Sequence, residues 1–507
     1  MNPKKLASTI VAFLFACSLQ ADVRLHGLFT DNMVLQRGAS VPIWGWADDG
    51  EAVTVEFGDQ IAKTKAKDGR WRVRLKKLKT GEPGILKVTG KNNIELKNVV
   101  VGEVWLASGQ SNMEWPITLT DSAEAASAKA SNPMIRLFTV VRTKAEAPTN
   151  DVPRPTNNIP SRWTECSPVT VTNFSAVAYY FARDLQKALN VPVGIIHSSW
   201  GGSPAEVWMS ERVLNGNEEY KRDIVDTYPT RKANFEIALA KFKKTQAQAK
   251  KEGKEFTNAP PWGVWRPTEL YNGMIAPLIP FAIKGAIWYQ GESNAGRAHQ
   301  YRRLFPDMIK NWRDDWHQGN FPFLEVQLAP FIADTNRPVH STWAELREAQ
   351  VYTTQKLPKV GIAVITDVGE EYDIHPRKKE PVGARLALAA RGIAYGEKIV
   401  YSGPMYKGIK MKDGKAIISF SNVGSGLVAK DGDLKGFTIA GEDRKFVAAK
   451  AEIAGDKVVV HSPSMGKPVA VRYGWTDFPV VNLWNKEGLP ASPFRSDNFP
   501  MFTEGKK

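Results

Sequence analysis

The feature that most limits how this chain can fold is a set of short apolar runs that end abruptly in glycine and small polar residues. "VVVGEVWLA" runs into Ser108-Gly109-Gln110-Ser111-Asn112. "VPVGIIHSSW" runs into Gly201-Gly202-Ser203, and "AIKGAIWYQ" into Gly291-Glu292-Ser293-Asn294. "VGIAVITD" leads to "VGEEYDIHP", which holds Asp373 and His375, and "FPFLEVQLA" is a fifth run of the same kind. Between the first two runs lies "NFSAVAYYFARDLQKAL". Its Phe174, Val177, Ala178, Phe181, Ala182 and Leu185 recur at helical spacing behind Asn173, a candidate cap. Apolar strands alternating with helices predict a parallel sheet with helices on both faces over residues 101–395. Residues 212–258 are polar and charged and predict a helical insertion over the sheet edge or near the site mouth.

The flanking segments have the other periodicity. Over residues 22–100, "WRVRLKKL" sets Trp71, Val73 and Leu75 against Arg72, Arg74 and Lys76. Such two-residue alternation, with Gly, Pro and Asp-Gly turns, predicts a small antiparallel β-domain. Residues 396–507 return to that pattern in "AIISFSNV", "KVVVHS" and "AVRYGW", which predicts a second β-sandwich-like domain.

In a parallel sheet all the strand ends lie on one edge, where α/β proteins place their sites. Four separate segments therefore bring Ser, Gly, Asn and Asp/His to one place. A serine hydroxyl is a weak nucleophile unless a base takes its proton. His375 could take it from Ser111 if an acidic neighbour steadies the imidazolium. Acyl transfer also builds an oxyanion, which needs fixed donors. The N–H groups of Ser111 and Gly201 and the side-chain amide of Asn294 would supply three. Gln110 and Gly202 are further candidates for shaping the site or touching substrate. The rival base is His299, which follows Asn294 closely; His197 sits inside an apolar strand and is expected to be a core residue.

These blocks match a known pattern. "GEVWLASGQSNMEW", "IHSSWGGSPAEVWMS", "LYNGMIAPL", "GAIWYQGESNA" and "DIHPRKK", with the opening "VRLHGLFTDNMVLQRG" and the closing "NLWNKEGLPASPFRSDNF", resemble the sialate O-acetylesterase family of the SGNH hydrolase superfamily. The resemblance spans nearly the whole chain after residue 21, in order. It implies a three-layer α/β/α catalytic domain and a carbohydrate esterase that removes acetyl groups without a metal or other cofactor. The family pattern places its oxyanion glycine two residues before a Ser or Thr, which selects Gly201 ahead of Ser203. One departure stands out: many SGNH enzymes carry Asp three residues before the histidine, and here that residue is Tyr372. Asp373 is the expected acid, with Asp367 and Glu292 as alternatives, and a Ser–His pair whose ring is oriented by a backbone carbonyl as a further one.

Composition narrows the setting. The formal net charge is +15, but the lysines are scattered, and the densest run, "KFKKTQAQAKKEGK", lacks interleaved aromatics. It is expected to be the solvated face of a surface helix, not a nucleic-acid site. Lys4 and Lys5 precede "LASTIVAFLFACSL", and "LQA" precedes Asp22, which predicts an export signal cleaved near Ala21 and a secreted or periplasmic protein. A lipoprotein anchored through Cys17 is the alternative. The first apolar stretch is too short for a comfortable membrane span, no later segment is long enough, and the two cysteines, Cys17 and Cys166, offer no zinc motif. The expected partner is an acetylated saccharide; the oligomeric state is left open. The expected activity is sialate O-acetyl hydrolysis. Alternatives are an esterase for acetylated xylan or xyloglucan, an esterase or lipase for longer acyl chains, and a non-catalytic carbohydrate-binding protein. Of the sixteen tryptophans, Trp115, Trp200, Trp208, Trp262, Trp265 and Trp288 fall in or near the motif segments. Some could wall a sugar pocket by stacking, but core packing is the expectation for each taken alone.

Overall fold

A computed structural model describes residues 22–153, 161–332 and 340–507. The expected export segment, with Cys17, lies outside the described residues. The fold is mixed α/β, with one large mixed sheet and further β-sheets at both ends of the chain.

One strand organises the molecule. Asn93–Gly109 is seventeen residues long, half-exposed over its first six residues and wholly buried from Val99 onward. Its opening residues pair antiparallel with Gly84–Thr89, and Val100–Gly102 pairs parallel with Val34–Gln36. Its final stretch lies between Val193–Ser199 and Gly285–Tyr289, parallel to both. It therefore crosses residue 100, where periodicity changes, without a break. Beyond Gly285–Tyr289 come Phe323–Val326 and Val360–Ala363, all parallel. On the other side Val193–Ser199 pairs parallel with Asn132–Thr139, and Thr164–Cys166 closes that edge antiparallel. These last two strands escape the sequence pattern because polar residues interrupt them.

The central strands are mostly apolar on both sides because both faces are covered. Trp105, Ala107, Ile195 and Ile287 pack with helices Ala176–Leu189 and Glu380–Tyr395. Leu106, Ile196, Ala286 and Trp288 point the other way, toward helices Ala298–Trp316 and Thr342–Lys356. Helix Ala176–Leu189 is capped by Ser175, not Asn173: Ser175 Oγ accepts from Ala178 N–H at 3.2 Å and donates to Met113 O at 2.6 Å. The cap thus also holds the turn that follows Ser111. Gly383 lets this helix and Glu380–Tyr395 approach closely, since a Cβ there would stand 2.5 Å from Tyr180 Cβ.

The N-terminal pattern is visible directly: Trp71, Val73 and Leu75 are buried, while Arg72 and Arg74 are exposed. Toward the C-terminus, a pair of four-stranded antiparallel sheets shares a core that includes Ile418, Val460, Ile439 and Tyr473. Buried Arg347, on helix Thr342–Lys356, joins this region to the large sheet by donating to the carbonyls of Leu328, Ala329, Thr476 and Asp477. The segment 212–258 is largely helical, and its long helix, Tyr228–Lys251, buries no residue.

Gly109 ends the central strand with φ at +139°, and a Cβ there would meet Tyr289 O at 2.2 Å. Gly109→Ala is expected to destabilise the fold by at least about 1–3 kcal/mol, the usual cost of a strained backbone position. Chemical denaturation measures it, and wild-type stability in this variant would contradict the close approach.

Candidate active site

The parallel register brings three strand ends level: Gly109 pairs with Ser199 on one side and Tyr289 on the other. Immediately after Gly109, the chain turns into a short helix, Ser111–Glu114. Gln110 Oε1 lies 3.4 Å from the N–H groups of both Gly291 and Ser293, so buried Gln110 ties this turn to the loop after Gly285–Tyr289. Gly201 packs directly on the same turn: a Cβ there would lie 3.2 Å from Ser111 Cβ.

His375 comes from the loop between Val360–Ala363 and Glu380–Tyr395. Its Nε2 lies 2.8 Å from Ser111 Oγ, the geometry of a base ready to take the hydroxyl proton. The ring stacks on Trp115, with centroids 4.8 Å apart and planes 16° apart. Trp115 therefore lies against the site, contrary to the core-packing expectation. The stack and partial burial hold the ring while leaving it reachable. His375 titrates below the ordinary imidazole value because of burial first and the nearby Lys379 ammonium second, with Asp373 opposing. It is therefore neutral, and able to accept a proton, at neutral pH.

The acids are placed differently from one another. Asp373 Oδ1 accepts the backbone N–H of His375 at 2.8 Å but lies 3.7 Å from Nδ1, and its side chain is 47% exposed. It shapes the histidine loop without a direct bond to the ring. Asp367 is turned away: both its oxygens accept from Arg385, at 2.6 and 2.8 Å. Glu292 is half-buried and accepts from Asn112 Nδ2 at 2.6 Å through one oxygen. Its other oxygen has no hydrogen-bond partner among the described residues.

Asn112 is the residue that joins the two halves of the site. Fully buried, it donates to Glu292 and, at 3.0 Å, to the carbonyl of Ile374, next to His375. Its Oδ1 accepts from Lys379 Nζ at 2.5 Å. Lys379 is itself buried, 5.4 Å over the ring of Tyr289 and 5.7 Å over that of Trp115. Burial pushes its ammonium down to about 7, against the opposing pull of Glu292, Asp373 and Glu370. Lys379 is not legible in the sequence, where it stands among neighbouring cations in "PRKKE"; its only signal is its spacing from His375.

The oxyanion donors are engaged unequally. Ser111 N–H, at the first position of a helical turn, has no acceptor among the described residues. Asn294 is buried, with Oδ1 accepting from Ala205 N–H and Gln290 Nε2. Its Nδ2 gives one hydrogen to Glu206 at 3.0 Å, and the second remains. Gly201 N–H donates to Glu114 Oε2 at 2.7 Å, and Glu114 in turn contacts Arg142. Gly202 N–H has no acceptor among the described residues. His299 is held elsewhere, its N–H on Thr503 Oγ1. His197 Nε2 bonds Ser199 Oγ at 2.6 Å inside the core, but its buried Nδ1 has no hydrogen-bond partner among the described residues, so the ring is a core residue satisfied at one nitrogen only.

A serine hydroxyl on a neutral imidazole, beside free N–H groups at a strand edge, is the arrangement of a serine hydrolase. Comparison with known proteins gives the particular family. A family described as "Carbohydrate esterase, sialic acid-specific acetylesterase" matches residues 257–390. The sialate O-acetylesterase of Mus musculus is 30% identical over 516 residues, covering 92% of this chain and 93% of that protein. That of Rattus norvegicus is 30% identical, covering 97% and 98%. A solved carbohydrate acetylesterase from Xanthomonas citri is 39% identical, with a TM-score of 0.81 over 94% of this chain and all of that one. The chain belongs to the sialate O-acetylesterase family, and it is an esterase.

The geometry around His375 is open to test at two residues. Lys379→Met removes the ammonium that depresses His375. The acidic limb of the kcat/KM profile on an aryl acetate then moves up toward the ordinary imidazole value of about 6.5, and an unmoved limb would exclude the coupling. Asp373→Asn keeps the acceptor oxygen for the His375 N–H. It is expected to cost about ten-fold in kcat, far less than the ~10⁴-fold of a buried triad aspartate; steady-state kinetics decides between them.

Proposed function

We propose that this chain is a serine O-acetylesterase for sugars, with an SGNH-hydrolase-type catalytic domain of three layers over residues 101–395. The observation that carries the reading is the 2.8 Å contact between Ser111 Oγ and His375 Nε2 at the joined strand ends. Ser111 Oγ attacks the acetyl carbonyl carbon as His375 takes its proton. The C–O bond to the sugar then breaks, and the sugar oxygen leaves with the proton from His375. Water attacks the acetyl-serine, gives a proton to His375 and displaces Ser111, which takes that proton back; acetate is released.

Ser111 N–H and the second Asn294 amide hydrogen are the donors available to the oxyanion. Gly201 N–H joins them once Glu114 turns away. Acetylated sialic acid is the first substrate reading, supported by the family and by the names of the rodent relatives. Acetylated xylan or xyloglucan is the second, and it is compatible with the Xanthomonas structure, which is named only as a carbohydrate acetylesterase. The signal-like segment at residues 1–21 supports action outside the cytoplasm.

Ser111→Ala is expected to abolish acetate release from 9-O-acetyl sialic acid, acetylated xylan and an aryl acetate while leaving thermal unfolding unchanged. A variant that still releases acetate at near wild-type rates would rule out the mechanism.

A further inference from the structure

A cavity of about 520 Å³ opens beside the site, bounded on one side by Gly202 and Ser293. Both belong to the loops that hold the Ser111 turn. Its other walls come from outside the sheet. The insertion helix Tyr228–Lys251 supplies Arg231, Asn234 and Phe235, and the following loop supplies Trp262 and Trp265. Arg231, Asn234 and Phe235 are three and four residues apart, so they share one helix face.

Two features of this cavity are in excess of what packing requires. Trp262 is 91% exposed, although burying so large a ring would be favourable. Its Cζ3 stands 4.0 Å from where a Gly202 Cβ would be, so the ring lies against the loop that follows Val193–Ser199. Trp265, by contrast, is fixed: its Nε1 donates to Gly202 O at 2.8 Å, and it meets Trp200 edge-on at 5.5 Å. The second feature is Arg231. Nearby cations are paired: Arg142 with Glu114, Lys144 with Glu269, Arg266 with Glu146, and Arg297 with Glu206. Arg231 makes no ion pair among the described residues; its guanidinium donates only to the Ile224 carbonyl, at 3.3 Å.

We propose that this cavity holds the sugar that carries the acetyl group, that Trp262 stacks on its apolar face, and that Arg231 binds a carboxylate on that sugar. The ligand class is an anionic pyranose, either a sialic or a uronic acid. A planar guanidinium pairs two N–H groups with a carboxylate, and an exposed indole offers a flat surface to ring C–H groups. The insertion would then set sugar selectivity, while the strand ends perform the ester chemistry. This inference rests on the esterase reading of Ser111.

The test compares kcat/KM of the full chain on 9-O-acetyl N-acetylneuraminic acid, the primary amide of that sugar, O-acetyl galacturonic acid, its amide, and an aryl acetate. The wild type is expected to prefer at least one acid over its amide by about ten-fold or more, the usual gain from a charge-assisted hydrogen bond. The pair that shows the preference identifies the source of the carboxylate. Arg231→Gln should erase the preference while leaving the aryl acetate within about two-fold, and Trp262→Ala should raise KM for the preferred acid and its amide alike. Equal rates on acids and amides in the wild type, or a preference that survives Arg231→Gln, would overturn the carboxylate site. An unchanged sugar KM in Trp262→Ala would overturn the stacking platform. Acetate release that survives Ser111→Ala would instead overturn the esterase reading beneath both.

Discussion

The pairing of Gly109 with Ser199 and Tyr289 is the constraint on which the site depends. A parallel sheet ends its strands together, and this register ends three of them at the same level. The turns that follow then have to share a small volume. Only glycine fits at Gly109, where the backbone bends away from Tyr289 O, and Gly201 leaves room for Ser111. Ser111 is thus placed by the sheet and its packing, with no long loop to position it.

The polar groups behind the site are buried at a cost, and their arrangement shows what offsets it. A buried ammonium or carboxylate needs partners to stay charged. Lys379 and Glu292 reach each other's fields through one amide, Asn112, which also bonds the carbonyl beside His375. The same hydrogen bonds that partner Lys379 and one oxygen of Glu292 fix the histidine loop to the serine turn. Lys379 also lowers the affinity of His375 for protons, which suits a base that must be neutral before each turnover. Asp373 contributes by holding the loop backbone, a milder role than that of a triad acid bonded to the ring.

Much of this is legible in the sequence because the signals are local. The apolar runs, their glycine-serine-asparagine endings and the helical spacing of Phe174 to Leu185 each depend on a few adjacent residues. Ser111, Gly201, Asn294 and His375 emerge that way, and the structure places Ser111 and His375 in contact and Gly201 against Ser111. What stays hidden depends on tertiary neighbours. Nothing near Trp115 in the chain shows that its ring will lie on His375, and Lys379 stands among neighbouring cations in "PRKKE". The engagement of Gly201 N–H by Glu114 has no local signal either, since the two residues come from separate motifs. Ser175 outcompetes Asn173 as a cap because its hydroxyl serves two backbone groups at once. Asp367 is a reasonable acid by position, but it is taken by Arg385, a residue on the following helix that no cue beside Asp367 points to.

The central claim is that Ser111 is the nucleophile activated by His375. The most direct measurement is covalent capture: a fluorophosphonate is added to the folded protein, and the labelled peptide is located by mass spectrometry. The account predicts a single adduct on Ser111, formed faster as pH rises through the His375 titration. An adduct on another residue, or none under conditions where acetate is still released, would contradict it.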